Sequence, residues 1–400
     1  MNRNIARLYE IANAPRRTVI GLMSGTSVDG LDVALCRFSG TGTDTKVELL
    51  AFETAPYDED YRNEIASIFS RRDADLEKVC LLNGWIAHRH AAIINACLKK
   101  WNIPASEVDL IASHGQTIFH APRSLHGQEK FSNATLQLGD GDHMAVATGI
   151  ITLSDFRQKH VAAGGEGAPL AAYGDFLIFS RKGENRIMLN IGGIANFTYL
   201  PGTLNADEVF STDTGSGNTL MDAYTRQHFP GKYFDENAAI AAKGQVNGAL
   251  LAALKDHPFF AQPFPKTTGP ELFNLAYLQA ARVKSGTTAL SREDVMATLN
   301  RFSAETIAEA IKTVTDEGRG FHFYVSGGGM HNPLLIKNIS ELLPDCTFKS
   351  TAELHINPDA KEAVLFAVLA NEAVCGGATS FGEGRNGIPN VSMGKISFPS

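Results

Sequence analysis

The chain has little of several things that would narrow its class quickly. Its 400 residues contain only five cysteines, Cys36, Cys80, Cys97, Cys346 and Cys375, with no CxxC pair. An odd number of scattered thiols does not make a disulfide frame and suits a reducing compartment. No apolar run is long enough to span a bilayer, and the first eighteen residues lack the apolar core of a signal peptide. They read as a short capping helix. These features point to the cytoplasm and away from a membrane. Basic residues are not in excess: 36 Lys and Arg stand against 43 Asp and Glu, a net charge of −7. That argues against a nucleic-acid partner, which selects a basic surface. A Walker-type GxxxxGK[ST] is also absent, which disfavours a P-loop fold.

What is present has a repeated grammar. TVIGLM, LDVALCRF and KVELLAFETA are three strand-like runs with short connections, and predict an antiparallel meander. Apolar residues from Leu76 to Leu98 recur at three- and four-residue steps, so a long helix follows. VDLIASHGQT and IITLSDFR read as buried strands with polar tips, separated by a short helix in DHMAVATG. The second half repeats the order. RIMLNI and IANFTYL flank a glycine turn, EVFSTDTGSG is a third strand, and NTLMDAYTRQHF is a helix. FHFYVS then runs into glycines, and DAKEAVLFAVLANEAV is the last clear helix. The pattern predicts an α/β protein of two related domains, 1–175 and 176–400, with a helix-and-loop insertion at about 231–293. Strand ends rich in Gly and Asp are where open α/β sheets bind ligands, so a cleft between the halves is expected.

The turn after the first strand, GLMSGTSVDGLDVAL, carries Ser24, Gly25, Thr26, Ser27 and Gly30. Successive N–H groups and hydroxyls there suit phosphate oxygens, and Asp29 suits a hydrated Mg²⁺. A plain Asp-Gly hairpin has the same residues. Gly192 and Gly193 form a matching tip in the second half. Gly327, Gly328 and Gly329 would let a flat ring such as a nucleotide base approach the backbone. Asp213 ends the DTGSG strand and suits a general base, or a helix cap, although Asn218 is itself a good cap. His114, Gln116, Thr117 and Arg157 offer the donor and acceptor variety that a sugar or amide needs. Glu362 reads equally as a favourable first-turn acid or a ligand. Asp222 and His120 read as structural. His88 and His90 are two apart in a helix and face different ways, which speaks against a metal pair.

Taken in order, GLMSGTSVDGLDVAL, SHGQTIFH, DFR with GGEGAPL, LNIGGIANFT, DTGSGNTLMDA, KTTGPELF and VSGGGMHNPLL resemble the anhydro-N-acetylmuramic acid kinase family, from about Val19 to about Glu372. The resemblance implies a duplicated actin-like ATPase, ribonuclease H-like fold closing on ATP with Mg²⁺. It implies conversion of 1,6-anhydro-N-acetylmuramate, ATP and water to N-acetylmuramate 6-phosphate and ADP, in peptidoglycan recycling. It places Ser24 to Leu31, including Val28, in the ATP turn and makes Asp213 the catalytic base. His114, Gln116, Arg157 and Glu362 then border the sugar, and a homodimer is implied. Three positions depart from the family pattern: His160 stands where Asp is frequent, Glu166 where Gln is frequent, and Ser216 where many members carry Pro. The alternatives are another small-molecule kinase of this fold and a nucleotide-switch protein like actin.

Overall fold

The computed structural model describes residues 1–168, 170–315, 318, 320–354, 356–376 and 388–400; Pro169 of the GGEGAPL motif lies outside them. Helix α1 (Arg3–Asn13) starts where the Asn2 side chain accepts the N–H groups of Asn4 and Ile5. Strands β1 (Arg17–Ser24), β2 (Gly30–Ser39) and β3 (Lys46–Pro56) form the expected antiparallel meander. Val19, Ile20, Leu22, Val33 and Leu35 fill its core.

Helices α2 (Glu59–Ala66) and α3 (Leu76–Trp101) follow. The Asp75 carboxylate caps α3 at one end, and Asn102 closes the other in the left-handed region. Leu82, Ile86, Ile94, Cys97 and Leu98 are buried as their spacing predicts, whereas Leu76, at the first helical position, is exposed. Strand β4 (Leu110–Ala121) runs parallel to β1. It is followed by α4 (Arg123–His126), β5 (Ala134–Leu138), α5 (Gly141–Thr148), β6 (Ile151–Ser154), α6 (Phe156–Ala162) and α7 (Ala171–Phe179). Strand β6 is parallel to β4, and β5 lies antiparallel off the main path.

The second unit repeats the plan. Strands β7 (Asn185–Ile191), β8 (Ile194–Leu200) and β9 (Phe210–Ser216) are an antiparallel meander. Helices α8 (Thr219–His228), α9 (Gly248–Lys255), α10 (Leu275–Lys284) and α11 (Arg292–Val314) follow, with short helical turns through the expected insertion. Strand β10 (Phe321–Ser326) pairs parallel with β7, then come α12 (Pro333–Leu342) and β11 (Phe348–Ser350), parallel to β10.

The chain then returns to the first unit. Helix α13 (Lys361–Cys375) packs on β1, so closely that a Cβ at Gly21 would stand 1.9 Å from the Ala363 carbonyl oxygen. Strand β12 (Lys395–Ser397) adds to the edge of β6. The sheets read β12-β6-β4-β1-β2-β3 and β11-β10-β7-β8-β9. Numbered within each unit, leaving out β5 and β12, both have the order 3-2-1-4-5, the duplication expected of the actin-like, ribonuclease H-like fold.

The compact units are residues 1–180 with 355–400, and 181–354. This differs from the expected 1–175 and 176–400, because α13 covers β1 rather than the sheet that precedes it in the chain. Among the described residues no helix is long and apolar enough to cross a membrane.

Candidate active site

In the first unit, β1 and β2 stay paired out to Ser24 and Leu31, leaving the residues between as the connecting turn. Asp29 fastens it: its Oδ1 accepts from the Ser27 hydroxyl at 2.9 Å and the Gly30 N–H at 3.0 Å. Val28 sits at φ 53°, a costly conformation for a β-branched residue. Thr26 and Ser27 are exposed. Ser24 and Leu31 instead face into the protein: Leu31 is core, and the Ser24 hydroxyl lies 2.8 Å from the Tyr57 hydroxyl and 2.6 Å from Gln116 Oε1.

Gly25 shows the opposite character. A Cβ there would meet nothing nearer than the Ser27 hydroxyl at 3.4 Å, and its φ is not in the left-handed region. The fold therefore makes little demand for glycine at 25, whereas a ligand approaching the backbone would. Asp32, missed in the sequence reading, is half-buried in β2 and accepts from Thr54 at 2.5 Å. Burial chiefly raises its pKa, and Glu362, Asp29 and Asp359 raise it further.

Strand β4 continues past the expected polar tip to Ala121, so Gln116 lies within it, level with Ser24 of β1; it is buried and its amide N–H₂ donates to the Gly25 carbonyl at 3.2 Å, so it braces the turn. His114 Nε2 accepts from Arg157 Nε at 3.0 Å, and Arg157 Nη1 donates to the Gly167 carbonyl at 2.7 Å. With Nε2 an acceptor, the neutral imidazole carries its proton on Nδ1. Burial, then Arg157, holds the His114 pKa well below its usual value. Burial lowers Arg157 to about 10, with Glu362 opposing. Glu362 is open to solvent in the first turn of α13; desolvation by surrounding protein still raises its pKa, against Lys361 and Arg157. Thr117 accepts from Gln137 at 3.3 Å.

His160 receives the Gly167 N–H on Nδ1 at 2.9 Å, and a Cβ at Gly165 would overlap its ring at 2.1 Å. This residue thus shapes the glycine loop. A cavity of about 510 Å³ beside these groups is lined by His114, Gln137, Asp140, Asp155 and Lys395, among others. Of the expected sugar-site residues it includes only His114.

In the second unit, the Gly192 and Gly193 carbonyls at the β7–β8 tip accept N–H groups from Gly217, Asn218 and Thr219 at 2.8–3.0 Å. They thereby satisfy the start of α8. The expected Asn218 cap does not form; Ser216 Oγ accepts the Leu220 N–H at 3.4 Å, and Asn218 donates to the Ile191 carbonyl at 3.5 Å. Gly192, like Gly25, would accept a Cβ at ordinary distances, 3.5–3.6 Å. Gly193, Gly327 and Gly329 would not: each has a neighbour within 2.8 Å of the added atom. Gly328 is open, its nearest neighbour Asn218 Nδ2 at 3.9 Å.

Asp213 is half-buried in β9. Its N–H donates to the Lys266 carbonyl at 2.9 Å, and its Oδ2 accepts the Thr268 N–H at 2.8 Å. The KTT segment is laid along β9, anchored by the buried Lys266 ammonium, which donates to the Phe259 and Phe260 carbonyls at 3.0 and 3.2 Å. Burial raises the Asp213 pKa to about 6; the Thr268 N–H pulls it down and Glu271 pushes it up. Asp222, in the first turn of α8, is also raised to about 6 by burial, with Arg226 opposing and Asp235 reinforcing. Lys266 and Thr268 were missed because their role depends on a contact more than fifty residues away along the chain.

Among the described residues no three His, Cys, Asp or Glu converge as a metal cage. His88 lies 3.2 Å from His143, and His90 turns into the core.

Among solved structures, the chain resembles an activator of 2-hydroxyisocaproyl-CoA dehydratase from Clostridium difficile with bound ADPNP, at 11% identity and a TM-score of 0.41, covering 90% of this chain and 96% of that one. Sequence relatives are much nearer. The anhydro-N-acetylmuramic acid kinase of Pseudoalteromonas atlantica is 58% identical over the full length of both chains. That of Pseudoalteromonas translucida is 52% identical, also over the full length of both, and that of Caldanaerobacter subterraneus 37%, covering 98% of this chain and 100% of the relative. The family profile described as anhydro-N-acetylmuramic acid kinase matches residues 17–397. The matched span takes in both units, and this chain belongs to the anhydro-N-acetylmuramic acid kinase family.

Proposed function

We propose that this protein opens the 1,6-anhydro ring of 1,6-anhydro-N-acetylmuramate with water and phosphorylates O6 from ATP, giving N-acetylmuramate 6-phosphate and ADP. The observation that carries the reading is Asp213, a half-buried carboxyl with a pKa of about 6, fixed on both sides by the KTT segment. Above that pH it is ionised and free to take a proton, close to the working range of a general base.

In this reading Asp213 accepts the proton of a water molecule whose oxygen forms the new bond to C1. The C1–O6 bond breaks, O6 bonds to the γ-phosphorus, and the bond from that phosphorus to the β-phosphate bridging oxygen breaks to release ADP. The charge that develops on O6 is taken up by phosphorus, so a second carboxyl acting as general acid, as in glycosidases, is not required. The Gly30 N–H is spent on Asp29 and the Val28 N–H on the Gly25 carbonyl, so the N–H groups of Gly25, Thr26 and Ser27 suit phosphate oxygens, and the bare backbone at Gly192 and Gly328 suits a nucleotide. His114, Gln116, Thr117, Arg157 and Glu362 border the sugar, with neutral His114 and charged Arg157 as donors. Mg²⁺ would be held at Asp29 through water and would offset phosphate charge. Asp32 adds to the negative field there.

The test is turnover in ¹⁸O-water with the anhydro-sugar. The label is expected at C1 of the product, with one ADP formed per sugar opened. ADP formation without label at C1 would instead make Asp213 the base for a plain hydroxyl, and no sugar-dependent ADP would end the kinase reading.

A further inference from the structure

Tyr57, Tyr61 and His90 lie outside the groups assigned so far, yet they form a buried polar chain ending on the turn at residues 24–30. Tyr57 and Tyr61 stack at 3.8 Å with planes 12° apart. His90, fully buried on α3, lies 2.9 Å from the Tyr57 hydroxyl and 3.1 Å from the Tyr61 hydroxyl through Nε2, while its Nδ1 has no partner. A stranded buried N–H is costly. The arrangement that avoids one puts the imidazole proton on Nε2 and leaves Nδ1 bare.

The donors then run one way. His90 Nε2–H donates to Tyr57 Oη, Tyr57 O–H to Ser24 Oγ at 2.8 Å, and Ser24 O–H to Gln116 Oε1 at 2.6 Å. Gln116 finally donates to the Gly25 carbonyl at 3.2 Å, and Tyr61 O–H reaches Gln116 Oε1 at 3.5 Å. The Tyr57 backbone N–H holds the other side of the turn through the Asp29 carbonyl, at 3.0 Å. Burial keeps His90 neutral, with its pKa at about 3, so the direction of the chain is stable at neutral pH.

We propose that Tyr57, Tyr61 and His90 are positioning residues for nucleotide binding: through Ser24 and Gln116 they set the orientation of the Ser24–Gly25 peptide and hence of the N–H groups that follow it. The proposal rests on the reading of residues 24–31 as the nucleotide turn. Tyr57→Phe keeps the ring stack but breaks the chain: the His90 N–H is left with the Tyr61 hydroxyl, and Ser24 Oγ loses the donor that orients it. It is expected to raise the KM for ATP about 5- to 10-fold, the factor for one lost hydrogen bond that pre-sets the turn, with the KM for sugar within about 2-fold of the original. ¹⁵N NMR of the imidazole is expected to show a protonated Nε2 and a bare Nδ1.

A Tyr57→Phe protein that melts like the parent and keeps its KM for ATP overturns the proposal, as does an Nδ1–H tautomer. Should Tyr57→Phe not fold, Tyr61→Phe is read in the same way, with a smaller effect expected from its longer bonds. Direct nucleotide titration of Gly25→Val separates the two levels. Unaltered binding there removes the turn reading itself; lost binding there, with normal binding in Tyr57→Phe, removes only the chain.

Discussion

Replacing Asp213 by Asn probes the base most directly, because the amide oxygen can still accept the Thr268 N–H while the group can no longer take a proton. General base catalysis alone supplies roughly 10²- to 10⁴-fold, so kcat should fall by at least that much while nucleotide binding persists. The pH profile carries more information than the rate. The Asp213 pKa rises from 3.8 to about 6, so the active, ionised form is about a tenth of the protein at pH 5 and nearly all of it at pH 8. The acid limb of kcat/KM should therefore fall near pH 6 in the parent and vanish from the residual rate of the variant. Asp222, raised to the same region, is the natural control: Asp222→Asn should keep the limb.

Stability should move in the opposite sense to activity. A carboxyl whose pKa is raised on folding favours the folded state below its unfolded value, and loses that contribution as pH rises through about 6. The parent should thus lose stability between about pH 4 and 6 in a way that Asp213→Asn does not. Melting temperatures of the two across that window, with initial rates from coupled ADP detection, make the comparison. A near-normal rate in Asp213→Asn, or an acid limb at pH 6 that survives the substitution, would refute the assignment.

Other consequences are open to simpler measurements. Thr268→Pro deletes the N–H that pulls the Asp213 pKa down, so the acid limb should move above about pH 6; an unmoved or lowered limb counts against the KTT segment as its regulator. Gly21→Ala would drive a methyl group into the Ala363 carbonyl, an overpacking cost of about 1–3 kcal/mol that should lower the melting temperature by about 2–12 °C. An unchanged melting curve would mean that α13 shifts away from β1 without cost.

The elements legible in the sequence were those with strong local grammar. The two three-stranded meanders, the long α3 and the apolar α13 each carry enough periodicity to be read without knowing their neighbours. Strands β5, β11 and β12 escaped notice because three to five residues hold too little pattern; pairing with β4, β10 and β6 makes them strands. The Asn218 cap was expected from residue preference, yet the β7–β8 tip and Ser216 meet those amides first. The site divided along the same line. Glycine turns and Asp213 stand out in the sequence, although β9 runs on to Ser216 and places Asp213 within the strand rather than at its end; the groups that hold them do not stand out. Thr268, Tyr57 and His90 act across long chain separations, through bonds that no spacing rule reveals.

The return of α13 and β12 to the first unit makes that unit discontinuous in the chain, while residues 181–354 are continuous. On the ribosome, where folding proceeds from the amino end, the later-starting unit is therefore the first to have all its parts outside the tunnel. Strand β1 must wait for a helix translated more than three hundred codons later before the face that α13 packs on is covered. A nascent chain halted before α13 would carry a finished second lobe and a first lobe still exposing apolar surface, a natural client for a holding chaperone.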